Sequence, residues 1–232
     1  MIVFENNVFE VLRMAFGEYQ TNCYLVIDKQ NGESLIVDPG INAEGWVLDH
    51  VRKPLAILNT HGHFDHTWSN AALKNHFADA SLLCPFEDVF MLHEDDFGTG
   101  VPPSFPDILV GAKEGECVVR RVSDVTNLGR SNKYNFGGFC LEFICYPGHT
   151  PGCSVIVLEH RDYAEKIMFS GDFIFHRSIG RTDFPYGSSS AMKKSLESFL
   201  NFKEDMLMLP GHGESTRVLA EKENIPYWIQ RL

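Results

Sequence analysis

The stretch LNTHGHFDHTWSN, Leu58–Asn70, decides the reading of this chain. An apolar run, LAILNT, ends in three histidines and an aspartate within six residues: His61, His63, Asp65 and His66. The short run bounded by breakers reads as a buried strand. HTWSNAALKNHFA, with Trp68, Ala71, Ala72, Leu73 and Phe77 near helical spacing, reads as a helix. The polar cluster therefore sits at a strand-to-helix turn. Residues two apart in an extended segment can point the same way, so His61 and His63 can share one ion. Asp65 and His66 stand one step further on, a spacing that suits two neighbouring ions better than one. Imidazole with carboxylate suits zinc, iron or manganese. Glycine at position 62 lets the backbone turn without crowding. The alternative is a solvated histidine-rich loop, which has no reason to follow a buried strand with this spacing.

Working outward, three further sites repeat the pattern. CYPGHTPGC places His149, MFSGDFIF places Asp172, and MLPGHGE places His212, each after a strand-like run and beside small residues. Each alone is a weak signal, since a single histidine in a turn is more often structural. Together they make five histidines and two aspartates, about what two ions need at three or four protein ligands each plus water.

The rest of the chain is consistent with one domain over residues 1–232. It is 44% hydrophobic and 22% charged, an ordinary globular composition. VFEVLRMAF and NCYLVID read as strands, and NGE before SLIVDPG as a hairpin turn. AEGWVLDHV reads as a short helix stopped by Pro54. SLLCP, FCLEFICYPGHTPG, CSVIVLEH, KIMFSGDFIF and MLMLPGHG read as strands. SSSAMKKSLESFLNF reads as a helix with serine caps. Phe86 to Arg130, interrupted by VPPSFPD, reads as a helix and a long loop flanking a cleft.

Bulk properties bound the function. A formal net charge of −11 disfavours nucleic acid as a partner, because phosphate binding rests on Lys and Arg. Cys23, Cys84, Cys117, Cys140, Cys145 and Cys153 form no C-x-x-C pair and read as reduced cysteines of a cytoplasmic protein. The N-terminal MIVFENNVFEVLRMAF is interrupted by Glu5, Glu10 and Arg13 and reads as no signal peptide. No apolar run is long enough for a transmembrane helix, so no membrane partner is expected.

THGHFDH, GHTPG, SGD, GRTDF and PGHG, in this order, resemble the metallo-β-lactamase superfamily, and most nearly its glyoxalase II-like (hydroxyacylglutathione hydrolase-like) branch of short bacterial type. QTNCYLV and IVDPG are similar to that branch as well. The match runs from about Gln20 to Gly213. The resemblance implies an α/β fold, the αββα sandwich of two mixed β-sheets face to face with helices on the outer faces. It implies a first ion held by His61, His63 and His149, a second by Asp65, His66 and His212, and Asp172 as a bridge. The ions would be divalent, zinc above iron or manganese. Asp65 would also help orient the hydroxide. Asp38 in VDPG would orient a ligand histidine, or would be an ordinary turn aspartate.

The implied activity is a binuclear metal-dependent hydrolase cleaving a small-molecule thioester, such as S-lactoylglutathione, by a metal-bridging hydroxide. The leaving thiol, with a pKa of about 8.5, needs no strong general acid. The chain departs from the larger glyoxalase II enzymes. The 19 residues after Gly213 are too few for their C-terminal helical domain, which grips glutathione. GRTDF also occurs in persulfide dioxygenases, which use one iron, so that activity is the alternative; a lactonase or other ester hydrolase is a third. A β-lactamase is less expected without a secretion signal. Arg181 would meet a substrate carboxylate or pair with Asp183 to pin its loop, and His176 has the same two readings, substrate contact or a structural role.

Overall fold

The computed structural model describes residues 1–92, 118–119 and 131–232. Among these, seven strands make a first mixed sheet in sequence order: β1 (Ile2–Glu5), β2 (Phe9–Phe16), β3 (Thr21–Asp28), β4 (Glu33–Val37), β5 (Lys53–Leu58), β6 (Ser81–Pro85) and β7 (Val118–Val119). β1 to β4 run antiparallel, whereas β4 to β7 are parallel. The second mixed sheet has the order β15-β14-β11-β10-β9-β8. Its members are β8 (Ser131–Phe136), β9 (Phe139–Cys145), β10 (Ser154–His160), β11 (Tyr163–Gly171), β14 (Leu207–Pro210) and β15 (Thr216–Arg217). A two-stranded ribbon, β12 (Ile174–Phe175) with β13 (Ser178–Ile179), follows β11.

Alternation of side chains along the strands builds three apolar layers. Tyr24 and Val26 of β3 meet Ile156 and Leu158 of β10 and Phe169 of β11 between the sheets. Cys23 and Leu25, the intervening residues of β3, face helix α1 (Glu44–His50) and helix α3 (Asn70–His76) through Val47 and Leu73. Val155 and Val157 of β10 face helix α4 (Ser189–Phe199) and helix α5 (Val218–Ile229) through Met192, Leu196 and Ile225. The architecture is the expected αββα sandwich.

Two local expectations needed correction. Pro54 does not stop the first helix. α1 ends at His50, and Pro54 lies inside β5. The helix expected from His66 onward is two: α2 (Phe64–Thr67) and α3. The Ser69 amide donates to Pro39 O at 2.9 Å, and its hydroxyl to Gly40 O at 2.6 Å, so the helical ladder is interrupted there. Of the Phe86–Arg130 expectation, the helix is a 3-10 helix at Phe86–Leu92; the long loop lies outside the described residues apart from β7. Helix α5, with Pro226 inside it, was not foreseen. Among the described residues no helix is long and apolar enough to cross a membrane.

Candidate metal centre

Each expected ligand leaves the C-terminal end of a strand at one edge of the sandwich. β5 delivers His61, His63, Asp65 and His66; β9 delivers His149; β11 delivers Asp172; β14 delivers His212. Because the two sheets meet at this edge, residues distant in sequence converge. Three groups form, each with its ligand atoms within 4.8 Å of one another: His61, His63 and His149; His61, His66 and Asp172; Asp65, His66 and His212. Asp172 lies between the outer two. Its Oδ1 is 3.3 Å from His66 Nε2, and its Oδ2 is 3.4 Å from His149 Nε2 and 3.3 Å from His212 Nε2. Two of these groups, His61–His63–His149 and Asp65–His66–His212, contain the same residues as the two sets that the resemblance implies; the third, His61–His66–Asp172, spans them.

The other ring nitrogen fixes each histidine. His149 Nδ1–H donates to Arg181 O at 2.7 Å, and His212 Nδ1–H to Tyr19 O at 2.9 Å. His66 Nδ1 meets Asp38 Oδ2 at 3.0 Å. Asp38 also accepts from the Thr60 amide at 2.8 Å and the Thr60 hydroxyl at 2.7 Å. With its hydrogen committed there, Thr60 Oγ1 accepts from His61 Nδ1–H at 3.1 Å. One buried carboxylate therefore orients His66 directly and His61 through Thr60, leaving each Nε2 aimed into the centre. Asp38 itself sits in the left-handed region, with φ +48°, and its carboxylate contacts His66 directly and His61 through Thr60.

The buried Nε2 atoms of His61 and His149 have no hydrogen-bond partner among the described residues. Leaving polar atoms so costs about 1–3 kcal/mol each. The donor set of imidazoles and carboxylates fits a divalent ion that would satisfy them. Space is reserved for the cluster: a Cβ at Gly211 would collide with Asp172 Oδ1 and His66 Cε1.

The electrostatics divide the cluster. Burial, followed by the neighbouring histidines, lowers the His61 pKa well below its ordinary value. Burial pushes His63 down to about 3 and also lowers His149. Burial acts on His66 in the same direction, but Asp65, Asp172 and Asp38 outweigh it and hold His66 well above the ordinary range. His212 is likewise raised against burial, by Asp172. Burial would raise Asp172, yet His66 and His212 hold it well below the usual carboxylate range. Burial thus favours the neutral form in the three-histidine group, whereas the neighbouring carboxylates favour the protonated form of His66 and His212.

A cavity of about 480 Å³ opens onto this cluster. His63, Asp65, His149, Asp172 and His212 line its floor, and Tyr19, Phe64, Phe175, Ile179 and Phe184 its walls. Arg181 also lines it, bound to Asp183 by two 2.7 Å hydrogen bonds and lying 3.8 Å from the Phe184 ring centroid. His176 does not line this cavity. It is exposed, with Nδ1 3.8 Å from Glu214 Oε2. Sequence reasoning missed Thr60 and the aromatic walls. Only Thr60, directly before the H-x-H pair, carried a signal.

Comparison with known proteins agrees with this geometry. The family model described as "Metallo-beta-lactamase superfamily" matches residues 16–212. An uncharacterized protein of Mycobacterium tuberculosis is 35% identical over 218 residues, covering 91% of this chain and 94% of its own. The hydroxyacylglutathione hydrolase GloC of Haemophilus influenzae is 32% identical over 219 residues, with 90% and 93% covered. Among solved structures, the BLEG-1 B3 metallo-beta-lactamase superposes with a TM-score of 0.70 at 25% identity, covering 94% of this chain and 99% of its own. TTHA1623 in a di-iron-bound form superposes with 0.65 at 26%, covering 93% and 99%. The family match spans the strands that carry all seven clustered side chains, and by it the chain belongs to the metallo-beta-lactamase superfamily.

Proposed function

We propose that this chain is a binuclear metal-dependent hydrolase of the glyoxalase II-like branch, cleaving a thioester such as S-lactoylglutathione. One observation carries the reading: two groups of ligands, His61, His63 and His149 beside Asp65, His66 and His212, with Asp172 between them on the floor of one cavity. The likeness to GloC supports the thioester class. The likeness to a di-iron-bound structure supports two ions. Zinc, iron and manganese all suit the donor set.

When bound, divalent ions would lower the pKa of water to about 7 and polarise the substrate carbonyl. The chain's own residues then have definite tasks. Asp38, Thr60, Arg181 O and Tyr19 O hold four imidazoles in the tautomer whose Nε2 faces the centre. Asp65 accepts from the Thr21 hydroxyl at 2.7 Å, which fixes its carboxylate at the cavity floor, where it would also orient the attacking water. The apolar walls would limit the water beside a bound substrate, which strengthens the electrostatics there. The thiol leaves as thiolate, because its pKa is about 8.5. No protonated acid has to be found in the cavity.

The discriminating assay measures thiol release from S-lactoylglutathione by the metal-replete protein, in air and under argon, with oxygen uptake followed in the presence of glutathione persulfide. Equal thiol release in both atmospheres is expected. Oxygen consumption matched to persulfide, with no thioester cleavage at any metal content, would replace this reading with a persulfide dioxygenase. Turnover of a β-lactam or lactone alone would move the substrate class.

A further inference from the structure

Asp88 lies in the 3-10 helix Phe86–Leu92, outside the clustered ligands, and is completely buried. Its carboxylate accepts three hydrogen bonds from two separate loops. The Gly62 amide, between His61 and His63, donates to Oδ2 at 3.0 Å. The Thr150 hydroxyl, next to His149, donates to the same oxygen at 2.6 Å. The Gly152 amide donates to Oδ1 at 2.6 Å. The packing is close on both sides. A Cβ at Gly62 would come within 2.6 Å of Asp88 O and 2.9 Å of Asp88 Cβ, and one at Gly152 within 2.8 Å of the carboxylate. This is a second reason for glycine at both positions, beyond the turn at Gly62.

We infer that Asp88 is a positioning residue that sets the distance between the His61–His63 loop and the His149 loop, and so the geometry of the three-histidine group. The inference rests on the metal-centre reading above. The two loops belong to different sheets, following β5 and β9. Asp88 ties both to a third element. Burial raises its pKa and these three donors, which favour the ionised form, pull it part of the way back, to about 6.

Asp88→Asn keeps the shape but not the acceptors. An amide oxygen can accept from Gly62 and Thr150, but its NH₂ then faces the Gly152 N–H, donor against donor. The His149 loop should shift. The expected result is a 10–100-fold weaker affinity for one of two ions, read by zinc competition against a chelator. The d–d absorption of the cobalt(II)-substituted protein should also change. A folded Asp88→Asn protein with wild-type affinity and wild-type cobalt spectrum would overturn the inference, whatever its thermal stability. If Asp88→Asn does not fold, Thr150→Val decides by the same two readouts, with affinity about tenfold weaker for loss of one charge-assisted bond. A wild-type protein that binds neither zinc nor cobalt would remove the metal-centre reading itself, and this inference with it.

Discussion

Asp172 touches histidines of both ligand groups. Its two oxygens lie 3.3–3.4 Å from three imidazole nitrogens drawn from both ligand groups. Its ionised form is favoured by His66 and His212. Removing it takes an acceptor from each group at once, and leaves a raised His66 with less compensating charge. Asp172→Ala should therefore lower metal content at both positions and cut turnover by more than about 100-fold, beyond the usual effect of an outer-shell partner. His212→Ala should deplete one position only. Elemental analysis of both variants grown with excess metal checks this. Near-normal metal content and turnover in Asp172→Ala would rule out a shared role. The seven clustered residues could be named from the sequence, because each is metal-capable and stands where a strand gives way to small residues. Asp88 could not: one acid in PFEDVF looks like any surface carboxylate until the fold buries it.

At the scale of elements, the start of β3 supports the loop after β14. The Asn22 amide donates to Gly211 O at 2.7 Å, its side chain to Pro210 O at 2.9 Å and Gly213 O at 3.0 Å, and Tyr24 OH to Pro210 O at 2.6 Å. These bonds join the two sheets at the edge where His212 emerges. Asn22→Ala leaves two carbonyls without this donor and should cost about 1–3 kcal/mol of stability. It should also weaken the ion held with His212 more than the other. Denaturant unfolding with and without metal checks both parts; a metal-independent loss alone would confine Asn22 to stability. The elements themselves were legible where period or breakers were strong, as in β5, β6, β10 and α4. Helix α4 begins where the serine cap foretold, with Ser188 Oγ accepting from the Ala191 amide at 3.2 Å. The break between α2 and α3 was not legible. It depends on a hydrogen bond from Ser69 to Pro39, residues brought together only by tertiary packing. Helix α5 was hidden by Pro226 and by a sequence with little apolar periodicity.

Across the whole molecule, the sandwich buries a group of histidines whose neutral form burial favours, and this couples stability to pH when metal is removed. His63 titrates near its ordinary value of 6.5 in an unfolded chain, but burial takes it to about 3 in the fold. Between these values the unfolded state binds a proton that the folded state does not. The His63 contribution is intact above pH 6.5 and is lost as pH falls toward 3, at no more than ~1.4 kcal/mol per pH unit. His61 and His149 shift in the same direction, whereas His66 and His212 shift in the opposite direction and oppose it. A single-residue comparison isolates the effect. Chelator-treated wild type and His63→Gln should be unfolded with denaturant at pH 7.5 and 5.5. Wild type should lose more stability over that interval than the variant, by up to ~1.4 kcal/mol, because glutamine has no proton to gain. Added metal should flatten the wild-type dependence, since an ion competes with protons for the same nitrogen. Parallel pH dependences in the two metal-free proteins would mean that His63 is not held neutral by the fold.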